Sequence, residues 1–398
     1  MKQVAAIAHY EMVHILKDKI LLLLVFAVPL LYASLCGLVY FSGLLTDIPL
    51  AIVDLDNSRL SREVVAAFEN SPRFQVVPGI DTYAGLEEGM KEGTVRAGVV
   101  IPGDFETKIT QHRNTEVLTV YDASNLIWGL NIRKYTLEVI GTFNARYTAA
   151  YLAGLGLTAT EISNALNTVQ GNIEVWYNPT FSYANYILMG LYMIIIQQIG
   201  LLCVSLTITR EKEKNSWLQY LCSPVAAWKI FLGKSLPYFL TNLMNYGLLL
   251  WFARSVVLVK VEGSTLLILL LGLLYSVTIT SAGFCLSLWA ANSLQVTRYL
   301  LLLSVPFFMI SGYCWPPTHI PELINNAARL LPLTWMAEAS RLVTVKNLGA
   351  HYIVHNILAL TVMALVSTFF ALTFSKRRKP PALGGLEVDC GNSYPKRD

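Results

Sequence analysis

Six apolar runs, most of them about 20 residues or longer, leave this chain few folds to choose from. A run of that length is what a helix needs to cross hydrocarbon. They fall near Ile20–Phe41, Ala184–Ile208, Leu236–Val259, Thr265–Ala290, Tyr299–Ile310 and Tyr352–Phe374. The fifth is short and is read as continuing into the glycine and prolines that follow it. Charged residues are 14% of the 398, against about a quarter in a soluble chain. The expected fold is an α-helical membrane protein with six transmembrane helices. An α/β extracytoplasmic domain is inserted between helices 1 and 2.

Lysine and arginine near the span ends set the orientation. The arm of residues 1–19 offers Lys2, Lys17 and Lys19, with Val4, Ala8, Met12 and Ile15 along one side, suited to the inner membrane surface. The loop after span two offers Arg210, Lys212, Lys214, Lys229 and Lys234, and the basic tail of 376–398 opens with Lys376 to Lys379. Both termini are therefore expected in the cytoplasm, and the chain in the cytoplasmic (inner) membrane. Basic residues form no stripe interleaved with exposed aromatics, which argues against nucleic acid. No CxxC spacing suggests a metal or redox site.

Residues 42–183 read as the inserted domain. Strands are expected at Ile48–Val53, Phe74–Val77, Val95–Ile101 and Val117–Tyr121. Helices are expected through Leu60, Val64 and Phe68, at Tyr83–Glu92, at Asp104–Gln111 and from about Leu126 to Leu152. Thr158 and Glu161 have capping-box spacing. Asp54, Asp56 and Ser58 resemble a cation loop, but lack its glycine and closing glutamate, so capping is preferred.

Gly233-Lys234-Ser235 ends like a phosphate-binding loop, yet Trp228 occupies the position of its first glycine. Any ATP chemistry is therefore expected from another chain. Gln197, Gln198, Asn242 and Asn245 are polar at membrane depth. They line a transport path or bond helices together. No Asp or Glu falls deep in a span, which disfavours a secondary transporter.

The stretch TREKEKNSWLQYLCSP, Thr209–Pro224, reads as one compact helix of 209–224. On this reading Arg210, Glu211, Lys212 and Glu213 project into the cytoplasm. Trp217, Leu218, Tyr220 and Leu221 lie against the interface, and Pro224 ends the run.

Leu206-Thr207-Ile208-Thr209-Arg210-Glu211-Lys212-Glu213, with Ser216 and Ser223-Pro224, resembles the pattern of the permease subunits of ABC-2 type exporters. Ile48–Ser58, Trp176-Tyr177-Asn178-Pro179, Gly190-Leu191, and Leu331–Thr334 with Glu338 and Arg341 resemble other parts of the same family. Asn215 departs from its usual glycine and Leu218 from its glutamate.

The resemblance implies a permease half that pairs with a second permease chain as a homodimer or heterodimer. Cytoplasmic ABC ATPase subunits, which bind ATP and Mg, would dock at Arg210–Ser223. Ser216, Trp217 and Pro224 belong to that surface. A periplasmic adaptor is a further implied partner, and membrane lipid surrounds the chain. The chain itself would bind no cofactor and be no enzyme. Gly312, Pro316, Pro317, Pro332, Glu338 and Arg341 would form an outer gate within a re-entrant segment of 312–350. The alternatives are a permease-like envelope protein or phage receptor without transport, or a secondary transporter.

Overall fold

In a computed structural model the chain divides into two compact units, Met1–Gly43 with Trp176–Asp398, and Leu44–Val175. Residues 1–40, 45–111, 113–166, 175–179 and 182–377 are described. Most of the basic tail lies outside them.

The first unit opens with helix α1 (Lys2–Lys17). Helix α2 (Lys19–Val39) follows, with a π-helical turn at Leu23–Ala27. Val4, Glu11 and Ile15 of α1 are buried. Two of these belong to the apolar side read from the sequence, and Glu11 was not foreseen.

The second unit is a mixed sheet with helices, and its elements follow the sequence expectations closely. Strands β1 (Ile48–Asp54), β2 (Phe74–Val76), β3 (Ala97–Ile101) and β4 (Leu118–Tyr121) lie in the order β2-β1-β3-β4. β1 pairs parallel with β2 and β3, and β4 closes the sheet antiparallel to β3. The helices are α3 (Arg59–Glu69), α4 (Tyr83–Glu92), α5 (Phe105–Thr110), α6 (Leu126–Gly154) and α7 (Ala159–Leu166).

Alternation along β1 sends Ile48 and Leu50 into one core, with Phe68, Ile132 and Tyr135. Ala51 and Val53 go into another, with Leu86 and Val95. Asp54 accepts from the amides of Asp56 and Asn57 and from Ser61 Oγ, while Ser58 caps α3. The turn is thus closed by its own hydrogen bonds. Glu161 bonds back to Thr158, completing the capping box.

Returning to the first unit, the chain forms α8 (Tyr183–Glu213), α9 (Trp217–Cys222), α10 (Ala227–Ser255), α11 (Thr265–Trp289) and α12 (Ser293–Ile310). Helices α13 (Glu322–Ala328), α14 (Pro332–Ser340) and α15 (Val354–Arg377) complete it. A second π-helical turn, Arg341–Val345, extends α14.

Among the described residues five helices are long and apolar enough to cross a membrane: α2, α8, α11, α12 and the stretch Ala350–Ser375 around α15. The expected third span lies on α10, which has 29 residues. Thr241, Asn242 and Asn245 make it more polar than those five. The fifth span extends toward the N-terminus, to Ser293, instead of into the glycine and prolines. Gly312 turns the chain with φ +76° directly after it.

Candidate functional site

Four consecutive charged residues on a helix point in four directions, about 100° apart. At the end of α8 each direction holds a different neighbour. Arg210 donates through Nη1 to His14 Nε2 at 2.5 Å and through Nη2 to Tyr238 Oη at 3.1 Å, with Asp18 at 3.8 Å. Glu211 accepts from Lys234 Nζ at 3.2 Å and from Ser216 Oγ.

Lys212 Nζ donates to the carbonyls of Ser287, Leu288 and Ala290 at 2.9, 2.8 and 2.6 Å. The last carbonyls of a helix lack intrahelical partners and carry partial negative charge, so a cation is stabilised there. Glu213 Oε1 accepts from Ser293 N at 2.7 Å, at the start of α12. The terminal turn of α8 therefore grips the end of α11 and the beginning of α12 together.

This corrects the expected compact helix of 209–224. Its charged half is the last turn of α8, and Asn215 with φ +57° breaks the chain before α9. Left-handed backbone favours glycine and then asparagine, which accounts for the asparagine at position 215. Arg210, Glu211 and Lys212 are half-buried and bonded within the chain instead of projecting outward, and Trp217 is buried. Among the described side chains of the stretch, Glu213, Lys214, Asn215, Gln219, Cys222 and Pro224 are exposed.

Behind this turn lies a charge cluster that sequence reasoning missed. Lys234, fully buried, sits 2.5 Å from Glu11 Oε1, also buried, with its ammonium 4.7 Å from the Tyr220 ring. Lys234 is inside helix α10, so Gly233-Lys234-Ser235 forms no loop. Gly233 instead admits α1: a Cβ there would meet Ile7 Cβ at 2.6 Å. The only sequence signal was a lysine at helical depth, here counted among the orientation charges.

Burial, reinforced by Arg210, pushes the His14 imidazole below its usual value. Asp18 caps α2, and the Leu21 amide leads the contacts that hold its carboxyl low.

The four polar residues at depth are not brought together. Asn245 Nδ2 donates to Val25 O at 2.8 Å, a carbonyl within the π-helical turn of α2. Asn242 presses against Gly200, where a Cβ would lie 3.0 Å from its Oδ1. Asn245 thus joins α10 to α2, while Asn242 packs in the interior against α8. Gln197 is buried and accepts from Tyr275 Oη at 3.1 Å. Gln198 is half-buried, on a stripe with the equally half-buried Leu191, Ile195 and Leu202.

At the opposite end of α8, roughly 39 Å away at 1.5 Å per residue, the residues expected at a gate hold separate contacts. The Arg341 guanidinium lies 4.1 Å from the Tyr313 ring and 5.2 Å from that of Tyr186, and donates to Tyr313 O at 2.6 Å. Tyr186 donates to the carbonyls of Tyr313 and Cys314. Gly190 is where the Tyr313 ring packs flat on α8; a Cβ would collide with it. Glu338 Oε2 accepts from Asn356 Nδ2 at 2.9 Å, tying α14 to α15. Pro332 opens α14, and Pro317, after Pro316, opens a 3-10 turn that packs on Gly312.

A long span whose charged last turn holds two further spans is the part of the sequence that carried the family resemblance. Comparison with known proteins agrees: the model of the ABC-2 family transporter proteins matches residues 19–373. The chain belongs to the ABC-2 transporter family. It is similar to the inner membrane transport permease YhhJ of Escherichia coli strain K12, 25% identical over 341 residues, covering 85% of this chain and 87% of that protein. It is 21% identical over 344 residues to the "Probable multidrug ABC transporter permease YbhR" of the same strain, covering 84% and 87%. To the linearmycin resistance permease protein LnrN of Bacillus subtilis strain 168 it is 21% identical over 359 residues, covering 84% and 89%. As an ABC-2 family member the chain is a transport permease, a class of membrane subunit typically without catalysis of its own.

Proposed function

We propose that this chain is the membrane-spanning half of an ATP-driven exporter of the inner membrane. It crosses six times, with α10 as the span that is too polar to stand out. Both termini lie in the cytoplasm and the sheet unit is extracytoplasmic. A second permease chain completes the path, and separate ATPase subunits bind ATP and Mg.

The observation that carries this reading is the double grip of Lys212 and Glu213. A force applied beside α9 reaches α8, α11 and α12 at one point. The docking surface is then the exposed edge at Lys214, Asn215, Gln219 and Pro224, instead of the internally bonded charges. On the substrate path, Gln198 is favoured over Asn242 and Asn245, whose contacts lie in the interior. The test is ATP hydrolysis by whatever co-purifies with the tagged chain from its native membranes. Replacing Lys214 by Glu and Gln219 by Ala is expected to abolish that activity while membrane insertion persists. Unchanged activity would refute this dock, and no activity with the unaltered chain would refute the exporter reading.

A further inference from the structure

A cleft of about 670 Å³ lies between α8, α11, α12 and α15, closed at one side by Leu330–Pro332. Its volume is within the range of roughly 300–1,000 Å³ typical of ligand pockets. Cys285, Leu303, Phe307, Met363 and Phe370 are among its walls, and no charged side chain faces it. Most of its polar groups are already bonded within the chain. Thr278 Oγ1 donates to Leu274 O, Ser367 Oγ to Ala364 O, and Gln197 accepts from Tyr275. A polar ligand would lose its hydration there with little in return, whereas a hydrocarbon loses nothing.

Length and position narrow the occupant further. The lining of α12 runs from Val296 to Phe307, about 17 Å of helix at 1.5 Å per residue. One leaflet of a hydrocarbon core of about 30 Å is roughly 15 Å deep. Trp289 and Tyr299, whose rings suit a membrane interface, line the end nearest Lys212. Both flanking helices expose apolar side chains beside the cleft, Leu301, Leu302 and Val305 on α12 and Leu358, Val362 and Leu365 on α15. The cleft is flanked by exposed apolar surface.

We propose that this cleft is a binding site for one acyl chain of a membrane phospholipid, in the leaflet on the side of Lys212. A second permease chain fits less well, because an α-helix is about 10 Å across.

The full chain would be reconstituted in phospholipid vesicles containing a phospholipid with a photoactivatable diazirine midway along one acyl chain. After irradiation, mass spectrometry of peptides is expected to find adducts concentrated at Cys285 and Met363, above those on the exposed face at Leu266 and Leu269. Ala282→Phe, which fills the cleft from α11, is expected to remove the cleft adducts and leave the others. Leu303→Trp fills it from the opposite wall and serves if the first variant fails to insert. Adducts spread evenly over the lipid-facing helices, or unchanged by both variants, would overturn the proposal. So would cross-linking of Cys285 to a second copy in place of lipid.

Discussion

Lys234 and Glu11 form an ion pair at 2.5 Å in which neither side chain reaches solvent. They are 223 residues apart in sequence, so the pair ties the first helix of the chain to the middle of its bundle. Removing one member of such a pair leaves an uncompensated buried charge, which costs about 3–5 kcal/mol. Lys234→Met is therefore expected to lower the yield of folded protein sharply in gel filtration. Glu11→Gln with Lys234→Met should recover part of the loss, because Glu211 keeps its bond from Ser216. A double variant no better than the single one would contradict the pairing.

The anchor of α1 is expected to loosen in acid. His14 Nε2 accepts from Arg210, which requires the neutral ring, and its folded pKa lies below the ordinary 6.5. As pH falls below 6.5 the unfolded ring gains its proton before the folded one, so stability declines until the folded pKa is reached. Asp18 acts in the same sense at lower pH: its folded pKa is depressed, and its contribution fades as pH falls through the carboxylate range. Proteolysis of the arm should increase between about pH 8 and about pH 5. His14→Gln, which offers a non-titrating acceptor, should flatten the upper part of that profile.

Gly190→Ala offers a test with an inverted sign. In an open helix interior this exchange stabilises by about 1 kcal/mol. Here the new Cβ meets the Tyr313 ring, so the melting temperature should fall. Combining it with Tyr313→Ala should restore the ordinary sign, and a rise in the single variant would show that the ring does not pack on α8.

Asn245 and Gln198 are expected to behave differently when made apolar. Asn245→Leu deprives Val25 O of its donor, a loss of about 1–3 kcal/mol for a buried group. It should appear in thermal unfolding. Gln198→Leu touches no such bond and should leave the melting temperature unchanged, while suppressing stimulation of the partner ATPase by an exported compound. If both variants unfolded alike, the two residues would share a structural role.

The sheet unit was legible almost element by element, because its signals are local. Strand alternation from Ile48, the Leu60–Val64–Phe68 spacing and the Thr158–Glu161 box each span a few residues. The charged stretch was misread for the opposite reason. The partners of Arg210 and Lys212 are up to 196 residues away, and nothing in Arg-Glu-Lys-Glu distinguishes charges that meet water from charges that meet helix ends. Helix α10 coincides with the third apolar run, but its asparagines stand out in the sequence only as polar residues. The hold of Asn245 on a π-helical turn is visible only where the fold brings Val25 to it. Gly312 is a clear local signal, because a glycine after an apolar run marks the helix end.

The grip of α8 on the junction between α11 and α12 has a mechanical corollary. A short connection between two long rods normally supplies a hinge, at which each can swing alone. Four hydrogen bonds from two adjacent side chains of a third rod remove that hinge. Large angular strokes of α12 against α11 are thereby blocked at this end, so relative motion has to be taken up at the far one. There Gly312 and the prolines leave the chain unbraced by regular helix.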